Sequence, residues 1–210
     1  MQHMMIDIET LGSGPTAPVM AVAAAMFDPV GIGHIQSPMY ANVELDQQIK
    51  KAWSKPDAET IQWWLHQSDA ARTRLYDPTP IEPQSAIMAL CNYHNTYNPE
   101  AVWANGATFD FPILDNMARE SGKRLPWHYR AVRDMRTLMN LWVDTGQQAI
   151  TVQRTTTKHD AQEDVLHQIL VVQKYYLAFR RGKSPMNVDA VKGALHDMLD
   201  EVIKERQSDY

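Results

Sequence analysis

The sequence predicts a mixed α/β fold: a sheet with three antiparallel strands leading and further parallel strands, flanked by helices. Two observations carry this expectation. The first third of the chain holds three extended apolar segments, joined by connections too short for helical crossovers, so they pair antiparallel. Beyond residue 56, helical periodicities alternate with a short apolar strand, which is the layout of a sheet with crossover helices. At 210 residues and 44% hydrophobic content, the chain can bury one sizeable core.

Residues 5–9 read as the first strand, followed by a Gly12-Ser13-Gly14-Pro15 turn. Residues 18–27 run apolar to Asp28-Pro29, and residues 34–43 follow a Gly-x-Gly turn. Pro56-Asp57 opens a helix with Ile61, Trp64 and Leu65 on one face. Pro83 opens another, with Ile87, Leu90, Cys91 and His94 at helical spacing. Residues 101–104 form a short strand, and residues 109–120 a helix closed by Gly122. Residues 129–142 mix strand and helix signals, and a polar stretch covers residues 144–158. "KHDAQEDVLHQILVVQKYYLAFRRG" is a strong helix ending at Arg180, Arg181 and Gly182. Past Ser184-Pro185, residues 188–203 are amphipathic, fitting either a packed extra helix or a partner surface. The expected division is a main domain over residues 1–184 and a helical tail over 185–210.

Composition excludes several classes. No apolar run approaches the ~20 residues of a membrane span, and no basic start followed by an apolar stretch suggests a signal peptide. A single cysteine, Cys91, permits no internal disulfide and fits a reducing cytosol, so a cytoplasmic setting is expected. Within its helical stretch Cys91 reads as a small buried hydrophobe. A net charge of −5 argues against coating nucleic acid by bulk electrostatics, yet allows a local grip on a strand end.

The informative stretch is "IDIET". As a strand, it puts Asp7 and Glu9 on one face about 6.6 Å apart. Like charges there repel unless something positive lies between them. Alone, the pattern reads as a solvated edge. Three later stretches bear on it. Asp110 sits between Phe109 and Phe111 at the start of a helix, where an acid also suits the helix dipole. "HDAQED" places His159, Asp160, Glu163 and Asp164 at the start of the last long helix. Asp134, in "VRDMRTL", reads as a surface partner of Arg133 or Arg136.

Acids on a strand and at two helix starts, with a histidine just before the second, make a metal-ligand pattern. Carboxylate ligands suit Mg²⁺ or Mn²⁺ rather than zinc. Four acids can hold two such ions ~3.5–4 Å apart, an arrangement that splits phosphodiesters by in-line attack of water. A histidine titrating near neutrality can take the water's proton.

These residues resemble the DEDDh 3′–5′ exonucleases of the RNase H-like superfamily. D-x-E-[TS] matches Asp7-Ile8-Glu9-Thr10, the helix-opening F-D matches Phe109-Asp110, and H-x-A-x-x-D matches His159, Ala161 and Asp164. The stretches "TIQWWLHQSDAAR", "FDFPIL" and "RDMRT" are similar to phage exonucleases of the T4 exonuclease A type and their bacterial relatives. The resemblance covers most of the first 180 residues and leaves the tail outside. One departure is Gly106 where many members carry asparagine four residues before the second-motif acid; Asn105 stands one step earlier.

The resemblance implies metal-dependent 3′–5′ hydrolysis of DNA, or of RNA as the alternative, releasing nucleoside 5′-monophosphates. It implies that Asp7 bridges two metals, that Glu9 and Asp164 complete the tighter site, and that Asp110 holds the second. His159 is then the general base, and Thr10, Leu11 and Phe111 meet the 3′-terminal nucleotide. The expected partner is nucleic acid with a free 3′ end, single-stranded by preference, with a homodimer open. Trp63, beside the core-facing Trp64, is placed toward the cleft, and Arg154 and Lys158 on a loop that carries the base. A binding module without turnover, and a two-metal hydrolase of small phosphoesters, are the competing readings.

Overall fold

The computed structural model describes residues 2–33, 35–36, 38–76, 78–154 and 156–181. The expected tail over 185–210, with its amphipathic segment 188–203, lies outside the described residues. Three strands lead: β1 (His3–Thr10), β2 (Val19–Phe27) and β3 (Met39–Asn42). The β1–β2 and β2–β3 pairs are antiparallel. Four helices follow, α1 (Asp46–Ile49), α2 (Ala58–Leu65), α3 (Asp69–Arg74) and α4 (Pro83–Tyr97). Then come β4 (Ala101–Ala104), α5 (Ala107–Glu120), a 3₁₀ turn (Tyr129–Ala131), β5 (Val132–Asp134), α6 (Met135–Asp144) and α7 (Ala161–Arg180). β4 pairs parallel to β1 and β5 parallel to β4, giving the strand order β3-β2-β1-β4-β5. The expected mixed sheet is therefore present, antiparallel on one side and parallel where helices intervene.

Alternation along β1 divides the core. Met4, Ile6 and Ile8 pack with Ile87 and Leu90 of α4 and with Ile113 and Leu114 of α5. The opposite face carries Met5 and, on β2, Ala21, Ala23 and Ala25, against Val165, Ile169 and Val172 of α7. Three alanines in register let α7 lie close on the sheet, directly over the strand that carries Asp7 and Glu9.

The third strand is shorter than expected. Pro38 has no N–H for the ladder, and Ile35 reaches the sheet only as an isolated bridge to Phe27. On α2 only Trp64 is buried, while Ile61 and Leu65 are exposed, so the expected three-residue apolar face reduces to one anchor. Cys91 is partly buried against the core. Among the described residues no helix is long and apolar enough to cross a membrane.

Candidate active site

Asp7 and Glu9 stand where β1 outruns its parallel neighbour, because β4 pairs with it only as far as Met5. The Ile8 backbone N–H, on this free stretch of β1, faces the Asp110 carboxylate in the first turn of α5 and favours its charged form. Asp110 is only 3% exposed. The turn from β4 into α5 depends on Gly106, whose φ of +112° is open to glycine and strained for other residues. It also depends on Asp134. Its Oδ2 accepts the N–H groups of Gly106 (3.0 Å) and Ala107 (2.7 Å), while its Oδ1 caps α6 through the Thr137 N–H (2.7 Å) and hydroxyl (2.9 Å). Burial pushes the Asp134 carboxyl up, but these donors outweigh it and hold the carboxyl below its ordinary value. Asp134 thus pairs with backbone rather than with Arg133 or Arg136. Asp134→Ala, which removes two caps at once, is expected to cost about 2–4 kcal/mol. Calorimetric melting checks this as a fall of roughly 5–15 °C.

The other half of the site is the start of α7. Asp160 is its N-cap, accepting the N–H groups of Gln162 (3.0 Å) and Glu163 (3.4 Å), and it pairs with Arg74 Nε at 3.0 Å. One turn on, Asp164 Oδ2 accepts the His159 N–H at 3.1 Å, and its Oδ1 meets the Arg154 guanidinium. His159 has a left-handed backbone, φ 63°, and its ring stands edge-on to Trp63 at 4.6 Å between centroids. Gln168, one further turn along α7, donates to Asp7 Oδ1 at 2.6 Å.

Asp7, Glu9, Asp110, His159 and Asp164 all line one cavity of about 590 Å³. Potential ligand atoms of Glu9, His159 and Asp164 lie within 4.8 Å of one another. Burial, then Asp110, Glu9 and Asp164, push the Asp7 carboxyl well above its ordinary value. Burial and the neighbouring acids, Asp164 first among them, push Glu9 up to about 8. Burial likewise raises Asp110 to about 7, opposed by the nearby backbone N–H groups of Asp110 itself and of Ile8. Burial lowers His159, and the nearby Asp164 opposes this. Glu9 Oε1 is buried with no hydrogen-bond partner and is available as a ligand atom. An oxygen-rich donor set of this kind fits a hard divalent ion.

A second cavity, of about 470 Å³, adjoins the first through Ile8, Glu9 and Phe109 and is lined by Thr10, Gly12, Ser13, Asp57 and Trp63 among others. Thr10 therefore faces a cleft, although its hydroxyl donates to the Gly12 carbonyl at 2.7 Å. Leu11 and Phe111 line neither cavity. Leu11 packs on the Met20, Trp64 and Ala71 cluster. Phe111 is 8% exposed and packs on Trp127 in the core, because one residue of helix turns it away from the face that Asp110 fixes. Phe109 takes the place at the cavity walls. Arg136, Arg154 and Lys158 line the acid cleft, whereas Arg133 bonds the backbone carbonyls of Arg130 and Val132. Gln168 and His167, which line the cleft, carry no motif signal, although three- and four-residue steps from Asp164 place them on its side of the helix.

Comparison with known proteins matches residues 2–176 to the 3′–5′ exoribonuclease Rv2179c-like domain. An exodeoxyribonuclease of Enterobacteria phage T4 is 30% identical over 129 residues, 57% of this chain and 57% of its own length. The chain thus spans somewhat more than half of that curated relative. In fold it is similar to E. coli exonuclease I in complex with a 5cy-dA13 oligonucleotide. There the TM-score is 0.57 at 14% identity, covering 85% of this chain and 43% of that one. A structure of exonuclease I (apo) gives the same TM-score of 0.57, at 14% identity, covering 85% of this chain and 44% of that one.

Proposed function

The chain belongs to the 3′–5′ exoribonuclease Rv2179c-like domain family, and from that premise we propose that it hydrolyses the 3′-terminal phosphodiester of a nucleic-acid strand, releasing nucleoside 5′-monophosphates. The observation that carries the reading is the convergence of Asp7, Glu9, Asp110, His159 and Asp164, drawn from β1, α5 and the start of α7, on one cavity. Asp7, Glu9 and Asp164 would hold one divalent ion and Asp7 with Asp110 a second, Mg²⁺ or Mn²⁺. Such ions supply Lewis acidity to the attacking water and neutralise charge at the leaving oxygen.

The chain's own residues do the rest. His159 accepts the proton of the attacking water at its free ring nitrogen. Its place is set by the backbone bond to Asp164 and by the Trp63 ring. The adjoining cavity receives the terminal nucleoside, with the backbone at Thr10 beneath it and Trp63 as a stacking wall. Arg136 and Lys158 face the cleft and supply positive charge toward the phosphates. Trp63→Ala is expected to raise KM about 5- to 150-fold, the worth of ~1–3 kcal/mol of base stacking, measured by steady-state kinetics on a short single strand. His159 loses a packing partner in the same variant, so kcat is expected to fall as well.

The sugar is the open choice, since the matched family's description names RNA and the phage relative's name DNA. Matched 5′-labelled DNA and RNA strands, single and double, digested with Mg²⁺, test the proposal. A ladder shortening from the 3′ end is expected on one or both. Binding without shortening would instead support a silent binding module, and activity confined to a chromogenic monoester a small-phosphoester hydrolase. Sedimentation of the full chain decides between monomer and homodimer.

A further inference from the structure

Both oxygens of Asp164 are taken by the segment that precedes it. Oδ1 meets Arg154 Nη2 and Oδ2 accepts the His159 N–H at 3.1 Å. The same guanidinium donates to the carbonyls of Thr157 (2.6 Å) and Thr156 (3.3 Å), so one side chain ties this polar segment to the start of α7. The Arg154 and Asp164 side chains are 18% and 14% exposed, so water screens the pair little. Glu9, beside Asp164, has its Oε1 bare. Each oxygen of Asp164 keeps a second lone pair, but a cation bound there would lie against the guanidinium charge, so the two compete for this carboxylate.

We propose that Arg154 is a positioning residue that occupies Asp164 in the metal-free protein and is displaced from it when a divalent cation binds. Metal arrival thereby loosens the tie between the Thr156 and Thr157 backbone and the start of α7, while the His159 N–H keeps its bond to Asp164. This rests on the reading of the cleft as a metal site. Once displaced, the guanidinium stays in the same cavity as Lys158, free to bond a phosphate oxygen.

Arg136 supplies the comparison. It lines the same cavity, but its Nε donates to the neutral Asn105 side chain at 3.2 Å. Removing either arginine takes one positive charge from the cleft, and only Arg154 occupies a carboxylate of the proposed ligand set. The test is calorimetric titration of Mn²⁺ into the full chain without nucleic acid. Arg154→Gln is expected to bind Mn²⁺ about tenfold more tightly than wild type, and Arg136→Gln to stay within about threefold, as for a screened charge. Arg154→Lys, which keeps the charge and loses the fork, is expected between them and serves if the glutamine variant fails to fold. Equal shifts in the two glutamine variants, or no gain in Arg154→Gln, overturn the proposal while leaving the metal site standing. A wild-type protein that takes up no Mn²⁺ overturns the metal reading and this proposal with it.

Discussion

Asp7→Asn is expected to stop nucleotide release and, in the same preparation, to raise the melting temperature of the metal-free protein. The variant keeps the shape of the side chain and removes the charge that Glu9, Asp110 and Asp164 oppose. Without a ligand common to both proposed ions, turnover should fall by roughly 10³-fold or more, several kcal/mol at 1.36 kcal/mol per decade. Stability should move the other way, because a buried like-charge cluster destabilises the fold whenever no cation sits in it. The pH dependence has a definite sign. Asp110 and Glu9 have folded pKa values raised to about 7 and about 8, above those of an unfolded carboxylate. Their stabilising contribution is therefore complete near pH 4 and lost as pH rises through 7 and 8. The gain in Asp7→Asn should accordingly be small at acid pH and reach roughly 3–6 °C at alkaline pH, about 1–2 kcal/mol for a chain this size. Scanning fluorimetry at both pH values, with chelator and with Mg²⁺, reads it directly. A variant less stable than wild type in chelator at alkaline pH would contradict the electrostatic picture.

His159→Asn is expected to lower kcat by about 10²–10⁴-fold, the usual worth of a general base, while Mn²⁺ affinity stays close to wild type. Asparagine suits the test because it tolerates the left-handed backbone at this position better than most residues do. The charge form matters too. The base must be neutral to accept a proton, and burial holds the His159 pKa below 6.5 despite Asp164. At saturating metal the acid limb of the rate profile should therefore fall below pH 6.5 in wild type and vanish in the variant. A collapse of Mn²⁺ binding would instead make His159 a ligand, which its closeness to Glu9 and Asp164 permits.

The parts of this fold legible in the sequence are those where one periodicity dominates. β1 and β2 are buried along nearly their whole length and read as apolar runs, and the 20-residue α7 announces itself by its spacing. The four-residue α1 and six-residue α3 are too short to show a period and are set by tertiary contacts and caps. The five residues that meet in the cleft are legible as a set because residue type and spacing both constrain them. Their supports are not. Asp134 looks like half of a surface ion pair, and only the fold brings its carboxylate to the backbone of Gly106, in the turn after β4. Gln168 looks like a polar residue on a surface helix, although it contacts Asp7 across 161 positions of sequence. Of the aromatic residues flanking Asp110, sequence cannot choose the one at the cleft. The rotation of α5 in the fold turns Phe109 out to the cavity and Phe111 into the core.

The most direct test of the proposed hydrolytic site is digestion of a single strand in ¹⁸O-labelled water with Mg²⁺, with mass analysis of the released products. Nucleoside 5′-monophosphates carrying one ¹⁸O on phosphate, formed by wild type and not by Asp7→Asn, are the predicted result. Products bearing a 3′-phosphate, unlabelled monophosphates, or equal release by the variant would contradict the assignment of this cleft.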